Sequence, residues 1–538
     1  MARRSEATAV GAVLLTLGAA QFLMTLDSSV MNVSMATVAN DLGTTVTGLQ
    51  TAITLYTLVM ATSMITGGKI GTLIGRRRAF SIGCIIYGSG SFVTGLSQNL
   101  PTMIIGWSLL EGIGAALIMP AVVALVAANF GPGERPRAYG LISASGAIAV
   151  AVGPLLGGLA TTHLSWRVVF FSEVVVVAGI LLLARRVHDT EPSTSARLDL
   201  VGTLLSTLGL GLGVYGILRS SEWGWIQPNP GAPSFLALSL TFWFVLCGLV
   251  IVWLFLEWQS HLVAHDREPL VRPAIFANRR LTGGLVMFSL QFLIQAGVFF
   301  VIPLFLSVVL ELSAIDTGLR VMPLSIALLV AALGVPRLFP NASPRRVVRI
   351  GFLFMLAGIV LLLAGIDLDA SAAVVMLPML MMGLGLGSLA SQLGSVTVSA
   401  VPVEESGEVG GLQNTATNLG ASIGTALAGS VMIAVLTTSL LTGITNDPRV
   451  PDSAKQQATV TLSPGVPFIS DTALRTAMDD AGAPANVTDE VVSINRSARI
   501  DGLHSALSVL AIIAVIALFF ARRIPDAQPT GSDVAVTA

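Results

Sequence analysis

"GAAQFLMTLDSSVMNVSMA", residues 18–36, holds a single carboxylate, Asp27, in an otherwise uncharged apolar run. The nearest charged residues are Glu6 before it and Asp41 after it. A helix needs about 20 apolar residues to cross the hydrocarbon core of a bilayer. An ionised Asp at the middle of such a span costs roughly 2.5–3.5 kcal/mol even on permissive insertion scales. The stretch therefore reads as a membrane helix carrying an acid that needs a reason.

Composition places the rest of the chain in the same solvent. Of 538 residues, 54% are hydrophobic and 11% charged, where a soluble domain carries about 25% charged residues. Mean hydropathy is +0.82. The 54 glycines fit as well, because small residues let membrane helices approach closely. The expected class is an all-α, multi-pass membrane protein in contact with the lipid bilayer.

Other classes are excluded on the same ground. A net charge of −1 offers nothing to a nucleic acid. Cys84 and Cys247 both lie in apolar runs, which argues against a disulfide framework or a thiolate metal site. The five histidines are scattered outside any motif, and no G-x-x-x-x-G-K-[ST] phosphate loop occurs. Neither an enzyme, a cofactor nor nucleotide hydrolysis is expected. The N-terminal "MARRSEATAVG" places basic residues before an apolar stretch, as a signal peptide does, but that stretch is long and lacks a cleavage site before Asp27. It reads as a retained first span.

Fourteen spans are expected. The first six fall near 9–35, 47–69, 79–98, 102–129, 138–162 and 168–187. Two follow at 199–218 and 234–258, and six more near 281–309, 317–338, 347–366, 371–400, 409–437 and 501–521. With both termini cytoplasmic, short outer segments hold only Arg167, Arg219 and Arg320 of the 29 Lys and Arg. Five more sit in the long outer loop 438–500, which the positive-inside rule does not count, and the remainder lie inside. Arg320, near the outer edge of span 10, is expected to snorkel to the headgroups or to Asp316.

Span 5, "GLISASGAIAVAVGPLLGG", and span 13, "GLQNTATNLGASIGTALAG", share a pattern of small residues. Gly411, Gly420 and Gly424 repeat the steps from Gly140 through Ala149 to Gly153. A shift of eight spans aligns 1–6 with 9–14 and matches the Arg76, Arg77, Arg78 cluster to the basic run after span 10. The expected domains are an N-terminal six-helix bundle (1–190), an inserted helix pair (191–270) and a C-terminal six-helix bundle (271–523). The bundle carries the polar loop 438–500, and residues 524–538 form a disordered cytoplasmic tail. Parallel repeats of this kind rock about a site at the membrane midplane.

The chain resembles the fourteen-span drug:proton antiporters of the major facilitator superfamily over nearly its whole length. "LDSSVMNVSMATVANDL" (26–42) is similar to the family's first-span motif and puts Asp27 on its acidic position. "GGKIGTLIGRRRAF" (67–80), with Gly68, Gly75 and Arg76–Arg78, resembles the gating loop after span 2. "GPLLGG" (Gly153, Pro154, Gly157, Gly158) resembles the fifth-span antiporter motif, and "SWRVVFF" (165–171) the family's SWR-x-x-F.

Departures accompany the resemblance. Thr72 stands where the family has a gating Asp, so the gate is expected to use other contacts. In "GWSLLEGIGAA", Ser108 replaces an intramembrane Arg, and Glu111 stands nearby. Glu173 occupies a position where relatives commonly have Asn.

Asp27, Glu111 and Glu173 are the expected proton-coupling or substrate residues. A carboxyl removed from water favours its neutral form, so an acid on the cavity between the bundles can bind a proton in one conformation and lose it in the other. A permanently protonated Asp27 bonded to Ser28, Ser29 or Asn32, and Glu173 paired with Arg167, are the plainer alternatives. Gln291, Gln295, Gln413 and Asn414 are candidate polar groups of the cavity, and interhelical bonding is their alternative. Gly153 and Pro154 are expected to shape span 5 against the opposite bundle.

The function expected is secondary export of amphipathic or lipophilic small molecules, such as drugs and antibiotics, by proton antiport, from the cell membrane and as a monomer. The alternative keeps the fold and drops the proton: a lipid or metabolite transporter, made credible by Ser108 in place of Arg.

Overall fold

The computed structural model describes residues 2–44, 46–131, 133–189, 197–229, 231–402, 405–447, 468–480 and 482–527. Among them the chain forms fourteen long helices, numbered here in order. They are α1 Ala2–Asp41, α2 Val46–Ile74, α3 Arg76–Gly95, α4 Leu100–Asn129, α5 Arg135–His163, α6 Arg167–Ala184 and α7 Leu200–Trp223. The second half holds α8 Leu240–Ala264, α9 Arg279–Val309, α10 Ala314–Leu338, α11 Pro344–Gly365, α12 Ala372–Val398, α13 Ser406–Asn446 and α14 Ala485–Phe520. Twelve are long and apolar enough to cross a membrane; α3, which opens on three arginines, and α5 fall below that mark.

Helix ends follow local chemistry. Asn99 accepts from the Thr102 amide, and Asn278 from those of Arg280 and Leu281, each satisfying donors that a helix start leaves orphaned. Gly75 separates α2 from α3 at φ +99°, a conformation that suits glycine. A Cβ there would also lie 3.0 Å from Asp189 Oδ2.

Three boundaries depart from expectation. Residues 234–239 form a two-stranded hairpin, Ser234–Phe235 against Leu238–Ser239, so α8 begins later than the apolar run alone suggests. Much of the described part of 438–500 is helix: α13 runs on to Asn446, α14 starts at Ala485, and a short helix covers Asp471–Asp480. Residues 448–467 of that loop and 528–538 of the tail lie outside the described residues.

Packing repeats with a period of eight helices. α1 packs on α5, α2 on α4, and α3 on α4 and α6; likewise α9 packs on α13, α10 on α12, and α11 on α12 and α14. Each set closes its own core, around Phe80, Tyr87 and Leu125 in the first and Phe352, Met355 and Leu507 in the second. α7 and α8 pair with each other, and α7 also touches α2 and α13. The two sets meet through α2 with α13 and α5 with α10 and α12.

Candidate functional site

Three carboxyl groups from three helices meet inside the first bundle. Asp27 (α1), Glu111 (α4) and Glu173 (α6) are each at most 1% exposed, and one carboxylate oxygen from each lies within 4.8 Å of the others. Residues 104–111 of α4 take the wider π-helical turn, which advances fewer degrees per residue than an α-helix and commonly marks functional sites. Trp107 and Glu111, four residues apart, share one face of it. Gly90 on α3 makes room, since a Cβ there would sit 2.6 Å from Glu111 Cγ.

The partners of the acids are neutral. Trp107 donates its indole N–H to Asp27 Oδ1 at 3.0 Å and Oδ2 at 2.9 Å, and stacks on Tyr56. Ser91 donates to Glu173 Oε2 at 2.8 Å, and the Thr94 hydroxyl lies 3.3 Å from Glu111 Oε1. Glu111 Oε2 and Glu173 Oε1 have no hydrogen-bond partner among the described residues. No Lys, Arg or His ion pair with the three acids occurs among the described residues. Oxygens at this spacing are the donor set that shared protons or a hard cation would use.

The first sequence expectation is corrected here: none of the three acids lines the cavity between the bundles. α1 presents Gln21 and Thr25 to that cavity. Asp27, two residues past Thr25, points about 200° away at 100° per residue. The plainer pairing of Glu173 also fails, because Arg167 bonds Asp41 and the Ser97 carbonyl instead. Asn32's side chain lies outside the described residues.

The cavity is about 230 Å³. Gln291 and Gln295 on α9 and Gln413 and Asn414 on α13 all line it, with Gln21 opposite. Asn414 Nδ2 is engaged by the Gly410 carbonyl at 2.9 Å, whereas Gln291 Oε1 and Gln413 Oε1 are buried without a partner among the described residues.

The glycines divide by face. A Cβ on Gly153 would lie 2.3 Å from Ser29 Oγ and one on Gly157 3.1 Å from Val30 Cγ1, so both hold α5 against α1 rather than against the opposite bundle. Gly140 makes the cross-bundle contact: its Cβ would fall 2.7 Å from the Ala332 carbonyl. Gly158 faces open space, and the side chain of Pro154 is outside the described residues.

At the arginine-rich end the bundles close on each other. A Cβ on Gly68 would be 2.4 Å from the Gly407 carbonyl. Lys69 reaches Glu408 Oε1 at 2.9 Å and Glu268 at 3.6 Å, and Arg272 meets Glu405 at 3.3 Å. Thr72 touches this seam without a charge of its own. Arg77 hydrogen-bonds the Val187 carbonyl at 3.3 Å, beyond the end of α6; Arg76 is buried and Arg78 exposed. Sequence reasoning missed Lys69, although it is one of two lysines in the chain and stands in an apolar run. It also missed Trp107, for which no local signal exists.

At the other end, Arg167 and Trp166 both donate to Asp41 Oδ2, Trp166 at 3.0 Å. These bonds hold the Asp41 carboxyl below its ordinary value of 3.8. Glu311 is likewise held low, by the backbone N–H and hydroxyl of Thr472 at 3.1 and 2.8 Å.

Comparison with known proteins agrees with this architecture. The family model described as Major Facilitator Superfamily matches residues 17–425. A puromycin resistance protein of Streptomyces alboniger is 31% identical over 419 residues, covering 77% of this chain and 80% of that one. A tetracenomycin C resistance and export protein of Streptomyces glaucescens is 26% identical and covers 96% of this chain and 92% of its own. The solved proton:xylose symporter XylE superposes with a TM-score of 0.57 at 14% identity, over 97% of this chain and 98% of that one, a likeness of fold. Fold, repeat and sequence thus converge, and the chain belongs to the major facilitator superfamily.

Proposed function

We propose that this protein exports small organic molecules across the cell membrane in exchange for protons, with the Asp27, Glu111 and Glu173 cluster as the proton site. The observation that carries the proton half is the meeting of three carboxyls from three helices, away from water and without a cationic partner among the described residues. Three such groups cannot all be charged at once at this spacing, so the cluster stores protons and gives them up when a rearrangement admits water. The export half is supported by relatives named for antibiotic resistance and export.

The moving parts are the N-terminal bundle (1–190) and the C-terminal bundle (271–523), joined by the pair in 191–270, and one copy suffices. Both termini are cytoplasmic in this reading, which puts the Lys69–Glu408 seam on the cytoplasmic side as the closed gate. The absence of an Arg at Ser108 does not remove coupling, because the acids take their hydrogen bonds from Trp107, Ser91 and Thr94 instead.

Transport by inverted vesicles tests the reading. Uptake should collapse with an uncoupler and be lost in Asp27→Asn with the protein still inserted. Uptake that persists without a proton gradient would favour the proton-independent transporter of the same fold.

A further inference from the structure

We propose that the cavity between the bundles selects an uncharged ring compound with an amide- or imide-type edge, and turns away permanent ions. The inference rests on the export reading above and names the substrate class of its cavity.

Among the described residues, the cavity lining contains no Asp, Glu, Lys, Arg or His. An ion entering would shed its hydration with no countercharge to replace it. The acid cluster does not supply one, because Asp27 leaves α1 on the side opposite Gln21 and Thr25. Besides the hydroxyls of Thr25, Tyr139, Ser143 and Thr417, what the walls offer is carboxamide: Gln21 from one bundle, Gln291, Gln295, Gln413 and Asn414 from the other. A carboxamide donates and accepts together, so its complement is a neutral edge that does the same.

Two of these amides have spare capacity. Gln291 and Gln413 are 4% and 8% exposed, and the oxygen of each lacks a hydrogen-bond partner among the described residues. Asn414 gives one N–H to the Gly410 carbonyl and Gln21 gives one to the Thr25 hydroxyl. A buried acceptor left unpaired has lost its water without gaining a partner, and so favours a ligand that donates to it. Rotation about the last side-chain bond is soft, and turns either edge of the amide toward a ligand. Phe288, Phe292 and Phe299 bring aromatic faces to the same space, suited to offset stacking on a planar ring.

Lumichrome, an uncharged fluorescent tricycle with an imide edge, and ethidium, a permanently charged tricycle, serve as probes. Fluorescence anisotropy with the purified full chain should show saturable lumichrome binding and much weaker ethidium binding. Gln291→Leu with Gln413→Leu should weaken lumichrome at least about tenfold, the loss of one to two hydrogen bonds. Unchanged melting of that variant confirms the fold. Gln295→Glu, at a half-buried position on the same wall, should bring ethidium binding up and serves if the double variant does not fold. Ethidium binding the wild type as tightly as lumichrome, no lumichrome binding, or lumichrome indifferent to both Leu substitutions would each overturn the proposal. Uncoupler-sensitive export of any compound in vesicles would leave the transport reading standing after that failure.

Discussion

The indole N–H of Trp107 is shared between both carboxylate oxygens of Asp27, at 3.0 and 2.9 Å, across 80 residues of sequence. One residue of α4 thus holds the acid of α1 in a single orientation toward Glu111 and Glu173. Trp107→Phe keeps an aromatic ring to stack on Tyr56, and removes the donor together with part of a fully buried side chain. A hydrogen bond to a charged group is worth about 1.5–3 kcal/mol, so transport should fall about tenfold or more, and the cavity left by the smaller ring should lower melting as well. Vesicle transport measured beside thermal unfolding checks this, and full activity in the variant would remove Trp107 from the mechanism.

Because the three carboxyls share one small volume, they should behave as a unit. Glu111→Gln and Glu173→Gln should each abolish substrate-driven proton movement in proteoliposomes, and the double variant should lose little more than either single. Residues acting together are non-additive in this way. Additive partial losses would mean that the acids work independently.

The Lys69–Glu408 pair joins the bundles in a buried setting, 2.9 Å apart and 6% exposed on each side. Removing one partner of a buried pair leaves an uncompensated charge, at about 3–5 kcal/mol. Lys69→Met should therefore destabilise more than Lys69→Met with Glu408→Met. Reversing the pair should rescue poorly, because Glu268 at 3.6 Å would then face a second acid. Thermal unfolding of the three variants beside the wild type decides the matter.

Gly153 and Gly424 hold equivalent positions in the repeat and equivalent contacts: Gly153 against Ser29 on α1, Gly424 against Leu293 on α9, where a Cβ would meet the carbonyl at 2.0 Å. Gly424→Val must push α9 from α13 and should lower stability by several kcal/mol, in the range of overpacking costs or above. Gly158→Ala, which faces open space, should be silent.

Asp41 has its ionised form favoured by Arg167 and Trp166, so its folded value lies below the unfolded one. Its stabilising effect is therefore complete above about pH 4 and is lost as pH falls through the lower folded value. The pair is partly exposed, so the contribution is small, about 1 kcal/mol or less. Arg167→Ala should flatten this part of the acid limb of the unfolding curve and leave neutral-pH melting within a few degrees.

Membrane character and the helices themselves were legible in the chain. So was the rarity of an acid at Asp27, Glu111 or Glu173, because charge stands out in an apolar run. Their convergence was not legible. Whether Asp27 faces the cavity or the bundle interior depends on the rotation of α1 about its axis. That rotation is set by Gly153 and Gly157 seating against Ser29 and Val30, more than 120 residues away. The π-helical turn over residues 104–111 leaves no mark in residue type either.

Sequence by itself determined that the backbone satisfies its hydrogen bonds within long apolar helices, since lipid offers no alternative partner and length and hydropathy are local properties. Tertiary packing alone decided which face of each helix meets which neighbour. In a chain apolar on nearly every side, shape complementarity at small residues, rather than hydrophobic contrast, chooses the interface. That choice put the acids in one chamber and the amides in another.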